Sequence, residues 1–369
     1  MRKLWPLLFL ALASCAPSSE PVRASLEVGD LLSAPADPRF TRALEPRELA
    51  FPADHGPHPE FQTEWWYFTG TLADDTGREY GYQLTFFRRA LAFEAPTLDS
   101  AWSARDVFMA HFTLADASKD SFEAHERFER GALGLAGASA APFGVWLRDW
   151  RLDIQSDGRM QLRAAEQDLA LDLALEPSSA LVLQGERGLS RKGAQPGNAS
   201  HYYSIPRMRS TGTLTRGGSR LAVRGESWFD REWSTSALEE GQVGWDWFAL
   251  RLDDGSELML YRMRRADGSA DPFSSGTFTR LGADPRKLDS DDFRITELAR
   301  WTSPQSGASY PSRWTLEVPS LGLTCTLTPL VESCELLAAV RYWEGAVRVE
   351  GSRSGSTVGG RGFVELTGY

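Results

Sequence analysis

The apolar residues of this 369-residue chain recur mainly at every second position. Residues 80–86 carry Tyr, Tyr, Leu and Phe at alternate positions, and residues 169–175 carry four leucines with the same spacing. This period is typical of strands that bury one face. Turns that contain glycine, such as residues 74–77 and 156–158, separate these runs as hairpin connections do. Helical periodicity is scarce, with one short helix expected in the segment made of residues 299–301 and the Asp-rich stretch upstream of them. The pattern predicts an all-β fold.

One arrangement of aromatic, acidic and apolar residues occurs twice along the chain. The first copy covers residues 66–88 and the second covers residues 245–262, each with an aromatic start, an acidic turn and a closing arginine. Such a repeat indicates two copies of one structural unit. We place the units at residues 48–205 and 206–369. Because this many strands must hide their edges, we expect each unit to close into a β-barrel, giving two tandem barrels.

The N-terminal residues predict export and membrane attachment. Residues 1–15 form a signal segment, with two basic residues followed by an apolar run too short to span a bilayer. Leu12 to Cys15 resembles a bacterial lipobox, which implies a lipid on Cys15; the alternative is an ordinary signal with a chance cysteine. Residues 16–47 have the composition of a flexible tether. Since no Asp follows Cys15, we expect attachment on the periplasmic side of the outer membrane.

The net charge narrows the classes of binding partner, and the cysteine content bears on a possible disulfide. The net charge of −10 argues against nucleic acid or an anionic lipid surface as the main partner. Apart from Cys15, the chain has Cys325 and Cys334. These two cysteines either pair in an oxidising compartment or stay as buried free thiols, and their spacing does not decide between the two.

Two histidines stand in a rigid turn ahead of the first repeat. His55 and His58 flank a Gly-Pro pair, and Glu64 and His111 are further residues of the types that zinc uses. The prolines disfavour a helix here, so the spacing does not place both rings on one face. A zinc site, a pocket acid or base, and a purely structural turn all remain open. We assign no metal and no cofactor.

Aromatic residues beside carboxylates mark the starts of both repeats. In residues 64–67 of a strand, Glu64 and Trp66 would point to one side while Trp65 and Tyr67 point to the other. Trp245 and Trp247 would likewise share one face. These aromatic rings suit either the wall of an apolar pocket or ordinary core packing.

The segment around Arg231 is the densest charged cluster in the second half of the chain. Asp230, Arg231 and Glu232 lie between aromatic residues, so burial is expected, and a buried charge must be paired. If Arg231 pairs with one carboxylate, the other has a perturbed pKa and becomes a candidate general acid. The alternative is a structural salt bridge between the two units. No nucleophile elbow, phosphate-binding loop, dinucleotide fingerprint or zinc-protease motif occurs in the sequence.

These motifs resemble those of the AttH and carotenoid hydratase (hydroxyneurosporene synthase) group. The similarity rests on residues 54–59, 63–67, 230–233 and 244–248 and extends over residues 48–366. It implies two lipocalin-like barrels. The hydratases of this group add water to the terminal double bond of an acyclic carotene by acid catalysis without a cofactor, and some members are associated with ABC-type export permeases. The hydratase motif has a histidine where this chain has Arg231.

The leading hypothesis is a lipid-anchored periplasmic protein that binds a lipid or isoprenoid-like molecule and is linked to an ABC-type export system. The alternative is a cofactor-free hydratase or hydrolase for a hydrophobic substrate, with Asp230 or Glu232 as general acid and His55 or His58 as its partner. A third possibility is a purely structural site. The expected ligand-binding residues are Glu64, Trp65, Trp66, Tyr67, Arg231, Trp233, Trp245, Trp247 and Tyr261.

The lipobox generates the first prediction. Cys15→Ser removes the sulfur that would carry the acyl chains, each buried methylene of which contributes about 0.8 kcal/mol to membrane binding. We expect the variant to appear in the soluble fraction after cell lysis, whereas the wild type sediments with membranes. Ser14→Ala is the matched control. Equal membrane retention of wild type and Cys15→Ser contradicts the prediction.

Overall fold

The computed structural model describes residues 37–94, 100–236 and 238–369, together with the backbone of residues 26–27. The signal segment, Cys15 and most of the predicted tether lie outside these ranges. Almost all regular structure in them is β. Three short 3-10 helices cover Ala53–His55, Ser290–Asp292 and Pro319–Leu321. None of the described helices has the length and apolarity that crossing a membrane requires.

The strands fall into two sheets. A short segment, β1 (Leu26–Glu27), pairs with the second sheet. The strands of the first sheet are β2 (Thr63–Asp74), β3 (Glu79–Ala90), β4 (Asp106–Asp116), β5 (Ser121–Arg130), β6 (Ala136–Ala140), β7 (Phe143–Leu147), β8 (Trp150–Ile154), β9 (Met160–Glu166), β10 (Leu169–Pro177), β11 (Val182–Leu183), β12 (Leu189–Arg191), β13 (Ala199–Arg216) and β14 (Ser219–Ser234). The other strands of the second sheet are β15 (Gln242–Leu252), β16 (Ser256–Arg265), β17 (Ser275–Arg280), β18 (Arg286–Asp289), β19 (Arg294–Thr302), β20 (Ser309–Val318), β21 (Leu323–Pro329), β22 (Glu335–Leu337), β23 (Val340–Arg353) and β24 (Ser356–Thr367).

The two sheets share one topology. The first runs β5-β4-β3-β2-β14-β13-β10-β9-β8-β7-β6, and the second runs β18-β17-β16-β15-β24-β23-β21-β20-β19. In each, the first long strand after the start pairs with the last, β2 with β14 and β15 with β24. Both sheets curl into nearly closed barrels, which removes most free edges. The all-β fold with two tandem barrels is confirmed, and the two copies of the repeated pattern are the hairpins β2-β3 and β15-β16.

Two details of the predicted organisation differ from the structure. The expected boundary at residues 205 and 206 falls inside β13, which continues in the first sheet, and the chain changes sheet between Ser234 and Gln242. Pro206 does not end the strand because the pairing of β13 with β14 shifts between Ile205 and Met208, and such an irregularity accommodates a residue without an N–H. In the segment expected to hold a short helix, residues 299–301 belong to strand β19, whereas the Asp-rich stretch upstream contains the 3-10 helix Ser290–Asp292.

Four groups of buried apolar residues hold the molecule together, the smallest of which packs Met109 of the first barrel against Leu336, Val340 and Tyr342 of the second. Two fill the barrel interiors; in the first, the alternating leucines of residues 169–175 are almost fully buried. The third lies between the barrels and combines Tyr67 and Trp228 of the first sheet with Trp247 and Met259 of the second. The two units therefore pack through an aromatic contact rather than through a solvated linker.

Ion pairs join the two barrels, and both described cysteines are buried. Glu79 of β3 makes ion pairs with Arg348 and Arg361 of the second barrel, across the contact between the two units. Cys325 and Cys334 are buried free thiols, which decides the alternative that their spacing left open. Burial raises the pKa of Cys325 to about 12, so this thiol is unreactive at neutral pH.

Candidate functional site

The pairing of β2 with β14 positions the site. Tyr67 lies opposite Asp230, and Trp66 lies opposite Arg231. Because side chains alternate along a strand, Tyr67 and Asp230 project from one face of the sheet and Trp66 and Arg231 from the other. One face looks towards the second barrel, and the other looks into the interior of the first.

A cavity of about 150 Å³ lies at the junction of the two barrels. Apolar cavities of that size can hold a benzene-sized group. Its aromatic lining consists of Trp65, Tyr67, Phe87, Tyr202, Trp245, Trp247, Tyr261 and Tyr342. Its ionisable lining consists of His111, Lys192, Asp230, Glu232 and Glu365. A largely aromatic wall with a few convergent polar groups is typical of a binding site for an apolar molecule.

Asp230 is the most strongly held carboxyl group of the cavity. Its side chain is 3% exposed and accepts three hydrogen bonds, from Tyr202 Oη at 2.6 Å, from Ser204 Oγ at 2.5 Å and from Trp228 Nε1 at 2.6 Å. Burial raises the pKa of Asp230 to about 7, although the three donors act in the opposite direction. The group therefore exchanges a proton near neutral pH, as a general acid or base requires.

Glu232 lies two residues further on the same face and is neutralised by a lysine. Lys192 Nζ is 3.3 Å from Glu232 Oε1, and Ser200 Oγ donates to the same oxygen. The ammonium group also lies 4.1 Å from the centre of the Tyr261 ring. Burial alone would lower the pKa of Lys192, but the charge of Glu232, together with its hydrogen bond and the nearby Tyr261 and Asp230, outweighs burial and raises the pKa. Lys192 thus stays a cation inside the cavity.

His111 connects the two barrels at the cavity wall. This fully buried histidine lies 2.5 Å through Nδ1 from Tyr342 Oη of the second barrel, while Nε2 lies 3.1 Å from Glu126 Oε2. The imidazole is therefore fixed in orientation between a phenol and a carboxylate. The sequence had suggested His111 only as a possible zinc ligand.

Arg231 is buried, as predicted, but its predicted partners are wrong. It forms an ion pair with Glu64, which also pairs with Arg88, and not with Asp230 or Glu232. The reason is strand alternation, which turns Arg231 into the first barrel and its two neighbours into the cavity. Burial alone would raise the pKa of Glu64, but the two guanidinium groups outweigh it and hold that pKa well below its ordinary range.

The two histidines of the Gly-Pro turn belong to this interior cluster. Arg231 donates to His58 Nδ1 at 3.1 Å, so His58 carries its proton on Nε2 and donates to Asp54 Oδ1 at 2.9 Å. The His58 ring stacks on Trp233 at 3.8 Å. Among the described residues, no group of three or more His, Cys, Asp or Glu is arranged to hold a metal ion.

His55 also lies inside the first barrel and away from the cavity. Its Nδ1 lies 2.6 Å from Tyr203 Oη, and burial, followed by the charge of Arg231, lowers the pKa of His55 to about 4. His55 and His58 are therefore not the partners of Asp230 or Glu232, because the β2-β14 layer separates them.

The structure thus divides the predicted site residues into two groups. The cavity contains Trp65, Tyr67, Asp230, Glu232, Trp245, Trp247 and Tyr261. The interior of the first barrel contains His55, His58, Glu64, Trp66, Arg231 and Trp233. Sequence reasoning missed Lys192, Tyr202, Tyr342 and Glu365, which come from strands or loops outside the motifs that the sequence analysis singled out.

The fold and the cavity define a protein of two tandem barrels with an aromatic cavity at their junction. The AttH-like family profile matches residues 42–369, and the chain belongs to the AttH-like family. The crystal structure of an AttH protein from Nitrosomonas europaea is similar at a TM-score of 0.80 and 34% sequence identity, covering 89% of this chain and 100% of that one.

Two characterised relatives are similar in sequence. Kievitone hydratase from Fusarium solani subsp. phaseoli is 23% identical over 272 residues, which are 69% of this chain and 74% of the relative. The dehydratase AsqC from Emericella nidulans is 23% identical over 217 residues, which are 56% of this chain and 60% of that protein.

The buried ion cluster generates a stability prediction. Arg231→Ala leaves Glu64 with one guanidinium in a fully buried position, and removing one partner of a buried pair costs about 3–5 kcal/mol. Arg224→Ala, on the same strand, breaks the exposed pair with Asp75 and should cost less than about 1 kcal/mol. Urea unfolding followed by tryptophan fluorescence measures both. Similar losses of unfolding free energy in the two variants would show that the cluster is not energetically special.

Proposed function

We propose that this protein adds water to, or removes water from, a carbon–carbon double bond of a hydrophobic substrate held in the cavity between the barrels. Asp230 transfers the proton. The observation that carries the proposal is the position of this carboxyl group, buried in an aromatic cavity, held by three hydrogen bonds and with a pKa near 7. The substrate's apolar part contacts the aromatic lining.

The chemistry of hydration requires few groups. Protonation of an alkene carbon creates positive charge on its neighbour, and electron-rich aromatic faces stabilise a nearby cation by about 0.5–2 kcal/mol each. Water then forms the new carbon–oxygen bond. Elimination is the same sequence reversed: the hydroxyl group leaves as water, and ionised Asp230 takes a proton from the neighbouring carbon. A carboxyl group whose pKa lies near the working pH can serve in both directions.

The relatives support this class of reaction. One is named a hydratase and the other a dehydratase, which are opposite directions of one transformation. The resemblance to carotenoid hydratases leads to the same class. Sequence identity of 23% does not transfer a particular substrate, so the proposal is limited to hydrophobic molecules with an alkene or a hydroxyl group.

A second candidate function is binding without reaction. The eight aromatic side chains of the cavity suit a lipid or isoprenoid-like ligand whether or not a proton is transferred. In that proposal the protein is anchored through Cys15 on the periplasmic side of the outer membrane and exchanges its ligand with an ABC-type export system.

Asp230→Asn separates the two candidates. The amide keeps the shape and most contacts of the carboxyl group but cannot donate its proton. We expect turnover to fall by at least about a hundredfold, within the range typical of a lost general acid, while ligand affinity changes less than about tenfold. The measurement is mass spectrometry of kievitone and of an acyclic carotene after incubation in ¹⁸O-labelled water.

The control for this variant is Asp172→Asn, which changes an exposed carboxylate on β10. It should behave as the wild type does. If the wild type binds these molecules but incorporates no label, the binding function is favoured. Full activity of Asp230→Asn would remove this residue from the mechanism.

The same group predicts a pH dependence. Because burial raises the pKa of Asp230 to about 7, the proton-donating form predominates below pH 7 and is lost as the pH rises above it. We therefore expect kcat/KM for hydration to fall above about pH 7, and this limb should be absent from any residual activity of Asp230→Asn. A rate that stays level from pH 6 to pH 9 contradicts a general acid with this pKa.

The aromatic wall predicts an effect on binding. Trp247→Ala removes an indole that lines the cavity and donates to Tyr202 Oη at 3.2 Å. We expect the affinity for a fluorescent isoprenoid to fall at least about tenfold, or about 1.4 kcal/mol. Trp146→Ala, on β7 of the first sheet and outside the cavity lining, is the matched control. Equal affinities of the two variants would place the ligand elsewhere.

A further inference from the structure

The internal repeat gives Asp230 a counterpart in the second barrel. Tyr67 and Trp247 each precede the phenylalanine of the repeated pattern, so they occupy equivalent positions in β2 and β15. Asp230 of β14 lies opposite Tyr67, and Glu365 of β24 lies opposite Trp247. Since β14 and β24 are also equivalent in the two topologies, Glu365 stands where Asp230 stands in the first barrel.

Equivalent positions line the cavity on both sides. Trp65 corresponds to Trp245, and the residues opposite them on the neighbouring strands, Phe87 and Met263, correspond to each other; all four line the cavity. The cavity therefore receives the same faces of the two barrels. Its two equivalent acidic positions are not a coincidence of loop placement, because both lie on regular paired strands.

Glu365 is backed by a second carboxyl group. Glu344 of β23 lies directly opposite Glu365, at the position that Ser204 takes relative to Asp230. Glu344 is 1% exposed, and it faces Glu365 across the pairing of β23 with β24. Burial, and then the charge of Glu365, raises the pKa of Glu344 well above its ordinary value. Two adjacent buried carboxyl groups cannot both ionise readily, so Glu344 retains the proton.

Glu365 itself is oriented towards the cavity. Trp245 Nε1 donates to Glu365 Oε1 at 2.6 Å, and the side chain is half-buried where it contacts the cavity. Burial raises the pKa of Glu365, while the neighbouring Glu344 and the Trp245 indole act in the opposite direction. Tyr67, opposite Asp230, also lines the cavity, and burial above all raises the pKa of its phenol well above the ordinary value.

We propose that Glu365 is a second catalytic residue, the base that takes a proton from water while Asp230 gives a proton to the substrate. The assignment rests on the proposed hydratase function. In hydration, the O–H bond of Asp230 breaks and a C–H bond forms on one alkene carbon. The water oxygen bonds to the other carbon, and its proton passes to the Glu365 carboxylate. Asp230 ends ionised and Glu365 protonated.

Proton exchange with solvent then restores protonated Asp230 and ionised Glu365. No oxidant, reductant or further reactant takes part. In the elimination direction the same two groups exchange roles, so Glu365 in its protonated form assists the departing hydroxyl group and ionised Asp230 takes the carbon-bound proton. Glu344 does not contact the substrate in this proposal. It is a positioning residue that keeps its proton and sets the basicity of Glu365.

Glu365→Gln tests the assignment. The change is nearly isosteric and retains an acceptor for the Trp245 indole, so folding should be preserved, which thermal unfolding verifies. We expect kcat for label incorporation from ¹⁸O water to fall at least about a hundredfold with little change in KM. Glu350→Gln changes an exposed carboxylate on β23, the strand of Glu344, and should retain wild-type activity.

The outcomes separate this proposal from the one on which it depends. Normal turnover by Glu365→Gln beside an inactive Asp230→Asn overturns the role of Glu365 alone. An active Asp230→Asn beside an inactive Glu365→Gln supports Glu365 and overturns the role of Asp230. A wild type that incorporates no label from either probe contradicts both proposals.

The role of Glu344 has its own readout in the pH profile. Because Glu344 acts to lower the pKa of Glu365, Glu344→Leu should raise that pKa and move the acidic limb of kcat to higher pH. Glu344→Gln keeps a hydrogen-bond donor at this position, so its limb should stay near that of the wild type. Coincident limbs in wild type and Glu344→Leu would reduce Glu344 to a packing residue.

Discussion

The ion cluster of Glu64 with Arg88 and Arg231 is the interaction on which the rest of the site depends. It holds β2, β3 and β14 together at one end of the first barrel, with all three side chains almost fully buried. A one-residue slip of β14 would exchange its two faces. Arg231 would then enter the cavity and Asp230 would enter the barrel. The cluster makes such a slip costly, because it would leave the buried Glu64 without one of its two guanidinium partners.

The two faces of the β2-β14 pair differ in how their carboxyl groups are balanced by cations. On the interior face every carboxylate has a cation, and the pKa of Glu64 is lowered. On the cavity face Lys192 is the cation in the lining, while Asp230, Glu232 and Glu365 all contribute carboxyl groups. Excess acid in a buried space raises pKa values and destabilises the ionised state. The interior cluster therefore contributes rigidity, whereas the cavity keeps Asp230 with a pKa near 7.

The sequence predicted the fold class, the repeat and the alternating faces because those depend on local period and composition. It could not predict which face looks into a barrel and which into the cavity, since that depends on the pairing of β2 with β14, residues about 160 positions apart in the chain. The wrong partners assigned to Arg231 have the same origin: neighbours in sequence were treated as neighbours in space. Glu365 carried no local signal at all. Its relation to Asp230 becomes visible only when the registers of both sheets are known.

The ion pairs of Glu79 with Arg348 and Arg361 join the two barrels outside the cavity. Each barrel carries one of the two equivalent acidic positions, so the separation of Asp230 and Glu365 is set by how the barrels fit together and not by either sheet. Regioselectivity in a reaction that used both groups would therefore be encoded at the contact between the barrels. Relatives could come to favour a different double bond through changes in these remote ion pairs, with every cavity side chain unchanged.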